Sequence, residues 1–162
     1  NRNYLTGIPP EVIKQEADIC AEILIQNYLR EWTLQSLCEL RNAGCETVLL
    51  SASLEYIVAG IAENIPVDHV QASIPEIVNG RFTGRLKDLR PWGRNKAKLM
   101  RRLCYQKEVN PGNCVAAGDS WADRFIMNEC GCSVAVCPDR KLRKFAVRRN
   151  WRIVEGRHTR WA

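Results

Sequence analysis

The chain has 162 residues, 46% hydrophobic and 26% charged, with 24 basic and 18 acidic side chains and a formal net charge of +6. That length fits one domain with a real core, and that balance excludes a disordered or collagen-like chain. No apolar run is long enough to cross a bilayer, and no repeat, low-complexity tract or basic-then-apolar leader is visible. The first residue is Asn1 rather than Met, as expected of a mature or excised fragment. The positive excess favours anionic partners without choosing among phosphorylated metabolites, lipid headgroups and nucleic acid. It is concentrated between Arg81 and Arg102 and between Arg140 and Arg160. The second stretch lacks the interleaved aromatics that stack bases, so it reads as a solvated face.

Pro9-Pro10 opens a predicted helix that runs to about Arg30, with Ile13, Ala17, Cys20, Leu24 and Tyr28 as its apolar stripe. A second helix carries Leu34, Leu37, Cys38 and Leu40 and stops at Gly44, an αL cap. Thr47-Val48-Leu49-Leu50 shows no alternation, as a strand covered on both faces requires. This strand ends in Ser51-Ala52-Ser53, and a helix with Ile57, Val58, Ile61 and Ala62 follows. Hydroxyls and backbone N–H groups at such a junction suit an anion. Plain N-capping by Ser51 or Ser53 accounts for them equally well. Val67 to Ala72 reads as a further strand and Glu76 to Thr83 as a hairpin turning at Asn79-Gly80.

Gly93 to Leu103 is helical, and Lys96 shares a face with Leu99, Met100 and Leu103 whereas Lys98 does not. A lysine in the first turn can lay its stem on the core and carry its ammonium over a sheet edge; snorkelling into water is the plainer alternative. Cys114 to Ala117 is a buried strand, and Trp121, Phe125, Ile126 and Met127 recur at helical spacing up to Gly131. Asp119 therefore ends a strand, where open α/β sheets bind ligands. A carboxylate there suits Mg²⁺, while Ser120-x-x-Asp123 also fits a helix capping box. Ser133 to Val136, Asp139 to Asn150 and Trp151 to Val154 complete the series as strand, basic helix and strand. Strands alternating with helices give a parallel sheet covered on both faces, an α/β fold.

The eight cysteines stand at positions 20, 38, 45, 104, 114, 130, 132 and 137. Cys20, Cys38, Cys104 and Cys114 fall on apolar faces or runs, as small buried hydrophobes, and read as reduced thiols of a cytosolic protein. A zinc site on Cys130, Cys132 and Cys137 lacks a second cysteine or histidine pair, His69 and His158 being the only histidines.

A hydroxyl ending one strand, a lysine opening a later helix, and Asp119 with Asp123 behind another strand are what a cation-bound phosphate needs. The segments Val48-Leu49-Leu50-Ser51-Ala52-Ser53, Gly93-Arg94-Asn95-Lys96 and Gly118-Asp119-Ser120-Trp121-Ala122-Asp123 follow in that order. Asn79-Gly80-Arg81-Phe82-Thr83-Gly84 and Val136-Cys137-Pro138-Asp139, with Leu142 and Ala146, accompany them. Together they resemble the motifs of the haloacid dehalogenase-like superfamily of phosphohydrolases, in its phosphoserine phosphatase-like branch. The resemblance implies a Rossmann-like α/β core over residues 31–162 and an incomplete helical cap segment over residues 1–30. It implies that Ser51, Ala52, Ser53 and Lys96 bind the substrate phosphate, that Lys96 stabilises its charge, and that Asp119 ligates Mg²⁺. Asp123 would support the metal waters or Lys96.

The family's aspartate nucleophile belongs to an Asp-x-Asp motif, and no two aspartates stand one residue apart here. By the resemblance, that motif and the central strand carrying it lie before Asn1. The chain then reads as an N-terminally truncated, inactive piece that associates through the gap in its sheet. The intact protein is expected to be a cytoplasmic, Mg²⁺-dependent phosphomonoester hydrolase acting through a phospho-aspartate. Its substrate would be a phosphorylated small molecule or lipid phosphate, with no nucleic acid partner and no integral membrane segment. The competing expectation is a non-catalytic module or pseudoenzyme that binds an anionic partner.

Overall fold

The computed structural model describes residues 3–155; Arg157, His158 and Arg160, the end of the basic C-terminal stretch, lie outside the described residues. The chain divides into two compact units, 3–91 and 92–155. No helix among the described residues is long and apolar enough to cross a membrane.

In the first unit, α1 (Pro10–Tyr28) begins with proline at its first turn, where a missing N–H costs nothing. Its buried residues are Ala17 and Ala21, and the stripe expected to reach Tyr28 fails there, since Tyr28 is 73% exposed. Small side chains let α1 lie close along α3 (Glu55–Ala62): a Cβ added to Gly60 would come within 2.8 Å of Ala21 Cβ. α2 (Glu31–Asn42) is followed by Gly44 in the left-handed region at φ +82°. Its buried residue is Ser36, whose hydroxyl donates to the Trp32 carbonyl at 2.9 Å. With Ser36 on the buried face, Cys38 is exposed, against the expectation that it is buried, and Cys20 and Cys114 are half-buried.

β1 (Val48–Leu54) runs on through the serines and pairs in parallel with β2 (His69–Ser73), with a register shift between Leu50 and Leu54. β2 starts later than the predicted Val67 because Asp68 is drawn back to Thr47, accepting from its N–H and its hydroxyl, each at 2.8 Å. The serine-capping alternative does not hold: Leu54 is the N-cap of α3, and no side chain caps it. The hairpin joins β3 (Pro75–Val78) to β4 (Arg81–Leu86), with Asn79 and Gly80 at φ +50° and +70° as a type I′ turn demands. Phe82 sinks from β4 into a cluster with Leu5 and Leu54, and Tyr56 meets its ring edge-on.

The second unit runs α4 (Arg94–Gln106), β5 (Val115–Gly118), α5 (Arg124–Met127), β6 (Cys132–Val136), α6 (Arg140–Arg148) and β7 (Arg152–Val154). The three strands form a parallel sheet in the order β5-β6-β7, joined through helices, so the expected Rossmann-like α/β class holds. β6 is buried from Ser133 to Val136, and α6 seals it with Leu142 and Ala146, both fully buried. The long helix expected after Asp119 is instead a 3-10 turn, Trp121–Asp123, leading into the short α5. Among the described residues β1 and β5 each have one strand neighbour.

In a helix, alanine ordinarily gains up to about 1 kcal/mol over glycine. At Gly60 the sign is expected to reverse: Gly60→Ala should cost about 1–3 kcal/mol by overpacking against Ala21. Urea unfolding of Gly60→Ala, Ala21→Gly and the double variant reads the coupling between them. Strictly additive effects would contradict this contact.

Candidate active site

β5 ends at Gly118, so Asp119 stands at its carboxyl end. A Cβ on Gly118 would lie 2.6 Å from Asp123 Cβ and 3.0 Å from its Oδ2. Glycine is therefore what lets the following 3-10 turn fold back against the strand end. Asp123, 4% exposed, accepts from Ser120 N–H at 3.2 Å and from Ser120 Oγ at 2.9 Å, both on Oδ2. Its Oδ1 is left for Lys96 Nζ, 2.6 Å away. The capping box read from the sequence and the ion pair share one carboxylate.

Lys96 reaches Asp123 from the first turn of α4, whose buried face is Ala97, Leu99, Met100 and Cys104; Lys98 is exposed. Gly93 begins that helix at φ +54°, ψ −125°, a backbone conformation that suits glycine. The lysine side chain keeps 18% of its surface and the aspartate 5%. At that burial the attraction is largely offset by desolvation, yet removing one partner strands the other charge.

Asp139 makes a second tie. Its N–H donates to the Asp119 carbonyl at 2.7 Å, its Oδ1 accepts from Lys141 N–H at 2.9 Å and Leu142 N–H at 2.8 Å, and its Oδ2 accepts from Trp121 N–H at 2.6 Å. One residue thus caps α6 and holds the turn after β5. The hydrogen bond from Leu142 N–H, and then those from Trp121 and Lys141, keep its carboxyl below the usual range against the opposing effect of desolvation. The Asp119 backbone is fixed by this tie. Its carboxylate is exposed, and no described residue bonds it.

Sequence reasoning assigned no role to Arg124, Trp121, Phe125 or Arg94 at this end. The Arg124 guanidinium lies 3.9 Å from the Trp121 ring centre and 3.8 Å from that of Phe125, and donates to the Trp121 carbonyl at 2.5 Å. Arg94 lies 4.9 Å over the same phenylalanine. Burial, and then the charge of Arg94, push Arg124 below the usual arginine range, though a guanidinium stays cationic at neutral pH. The signal available in the sequence is Arg124 three residues after Trp121, a spacing at which helical side chains meet.

Ser51, Ala52 and Ser53 belong to the first unit, where Ser51 Oγ accepts from Ser53 N–H at 3.2 Å. Among the described residues no group of three or more His, Cys, Asp or Glu side chains is placed to hold a metal. For Mg²⁺ the second unit offers the carboxylate of Asp119, those of Asp123 and Asp139 being engaged. Mg²⁺ is held by one or two carboxylates with waters and phosphate oxygens rather than by an all-protein cage, so Asp119 fits as one member of its ligand set.

The family model for haloacid dehalogenase-like hydrolases matches residues 1–127. A putative hydrolase of Mycobacterium leprae is 34% identical over 121 residues, covering 75% of this chain and 40% of that protein. A phosphoserine phosphatase of Mycobacterium tuberculosis is 33% identical over 121 residues, covering 75% of this chain and 39% of its own. The chain thus spans about two fifths of these relatives' length. A crystal structure of a Bordetella pertussis protein of unknown function shares the fold, with a TM-score of 0.79 at 21% identity over 93% of this chain and 69% of that one.

Lys96→Met, which keeps the apolar stem and leaves Asp123 unpaired, is expected to lower the unfolding free energy by about 3 kcal/mol. Urea denaturation at neutral pH measures it, and an unchanged midpoint would contradict the buried pair. Asp139→Asn tests the second tie through pH. A carboxyl with a depressed folded-state pKa stabilises fully above its unfolded value, about 3.9, and loses that contribution as pH falls through the lower folded value. Asp139→Asn is therefore expected to melt below the parent at neutral pH, with the gap narrowing toward about pH 2. A gap that widens in acid would contradict the assignment.

Proposed function

We propose a function for this chain, which belongs to the haloacid dehalogenase-like hydrolases and, within them, to the phosphoserine phosphatase-like branch: it supplies phosphate- and metal-binding groups to a Mg²⁺-dependent phosphomonoester hydrolase. The observation that supports this most directly is the buried Lys96–Asp123–Ser120 arrangement beside Asp119. In this reading Asp123 orients the Lys96 ammonium, and the ammonium meets the negative charge that develops on the transferring phosphoryl group. Ser51, whose oxygen accepts from Ser53 N–H, keeps its hydroxyl proton to donate to a phosphoryl oxygen, with the Ala52 and Ser53 backbone beside it. Asp119 would hold Mg²⁺, which neutralises phosphate charge when bound.

The reaction is proposed to pass through a phospho-aspartate. Its carboxylate would come from a segment outside these residues, because none of the six aspartates at 18, 68, 88, 119, 123 and 139 has another two positions away. Residues 1–30 would contribute to the cap, and the substrate class is a phosphorylated small molecule or a lipid phosphate. The missing motif also supports a second reading, a non-catalytic module that keeps the fold and binds an anionic partner.

The test is hydrolysis of p-nitrophenyl phosphate by the protein extended upstream of Asn1. Asp119→Asn, Lys96→Met and removal of divalent metal by chelation are each expected to lower kcat by about 100-fold or more, while the 162-residue chain alone shows no turnover. Activity insensitive to both Asp119→Asn and chelation would overturn the metal-dependent reading, and an extended protein with no activity would favour the non-catalytic one.

A further inference from the structure

Cys104, in the last turn of α4, and Cys114, immediately before β5, bring their sulfurs to 3.7 Å, in contact across the turn of residues 105–113. Neither takes part in the chemistry proposed above. Cys104 is 7% exposed but lines a surface hollow with Tyr105, Glu108, Val109 and Asn110; Cys114 is half-buried. Two thiols in contact at the junction of a helix and the following strand form a dithiol site.

We propose that Cys104 and Cys114 are a thiol–disulfide exchange site, closed by a low-molecular-weight disulfide oxidant into an intramolecular bond that staples the end of α4 to the start of β5. The more accessible Cys114 thiolate attacks one sulfur of the oxidant and expels one thiol, leaving a mixed disulfide. The Cys104 thiolate then attacks Cys114 Sγ, forming the Cys104–Cys114 bond and expelling the second thiol. The two protein thiols lose two electrons in total, the oxidant gains them, and the protons of the cysteines pass to its two thiols. The sulfurs must close from 3.7 Å to about 2.0 Å.

Nearby Cys130 is the competing partner. Burial, and then Cys114 and Cys104, push its thiol up to about 12, whereas Cys114 is pushed to about 11 by burial and by Cys104. Both are thus held mostly as thiols, so contact decides the partner, and the sulfur that meets Cys114 Sγ is that of Cys104. Cys132 is exposed, and its sulfur has no thiol contact of the kind that joins Cys104 to Cys114. Closing the loop removes conformations from the unfolded chain, so the oxidised form is expected to melt higher by roughly 5 °C.

The experiment treats the 162-residue chain with oxidised glutathione under native conditions, alkylates the remaining thiols, and maps a digest made without reductant. The expected product is one intramolecular Cys104–Cys114 cross-link. It should be lost in Cys114→Ser, kept in Cys132→Ser, and accompanied by a rise in melting temperature that reduction reverses. Recovery of both residues as alkylated thiols, or of Cys114 joined mainly to Cys130, would overturn the proposal. The parent digest decides this by itself should Cys114→Ser fail to fold.

Discussion

The carboxylate of Asp123 is asked to do two things, and much of the second unit follows from its doing both. One oxygen closes the turn that leaves β5, through Ser120; the other holds Lys96 from α4. Elements separated by many residues of chain are thereby fixed to a single buried group. The pair adds little net stability, because two charges taken out of water give back in desolvation most of what they gain. Its consequence is positional. An ammonium that would sample water on a long flexible stem is held at one place, next to the end of a strand. Gly118 is the geometric condition for this, since any side chain there would occupy the space of Asp123.

Asp139 extends the same logic to the next strand. By capping α6 while accepting from Trp121 N–H and donating to the Asp119 carbonyl, it ties the loop after β5 to the loop after β6. The backbone of Asp119 is held, and its carboxylate points to solvent without a partner among the described residues. Fixed dipoles and charges around an unengaged acid are the form electrostatic preorganisation takes, because no reorganisation is then needed when a charged ligand arrives. Arg94 and Arg124, stacked on Phe125, add two cations to this end of the unit.

The elements that could be read from sequence were those whose signal is local. Asn79-Gly80 must turn a hairpin and Gly44 must end a helix, whatever surrounds them. The face of α4 carrying Lys96 and the existence of a strand before Asp119 were likewise legible from spacing and an apolar run, although β5 is Val115–Gly118 rather than Cys114 to Ala117 and is not buried as read, Val115 and Ala117 being exposed. What sequence could not supply depends on partners. The inner face of α1 is Ala17 and Ala21, chosen for closeness to α3 and not for hydrophobicity, so a stripe of large apolar residues pointed partly the wrong way. The buried face of α2 carries Ser36, its hydroxyl satisfied by the Trp32 carbonyl, and Cys38 lies off that face. The division of labour on Asp123 was invisible because the capping box was read from spacing and the support of Lys96 from the resemblance, each apart from the other. Two oxygens on one carboxylate make them compatible.

The chain belongs to the haloacid dehalogenase-like hydrolases, and in the proposed reading Ser51, Lys96 and Asp119 would hold and polarise phosphate while the nucleophile comes from another segment. One feature of β5 is compatible with that reading. Natural edge strands carry charges, prolines or bulges that discourage pairing. β5 is Val115-Ala116-Ala117-Gly118, with none of these devices, and Val115 is 49% exposed. Among the described residues β6 is the strand paired with β5, and nothing in the β5 sequence discourages pairing on its other side. In the proposed reading, a segment that pairs there would also bring the nucleophilic acid to the strand end where Asp119 stands.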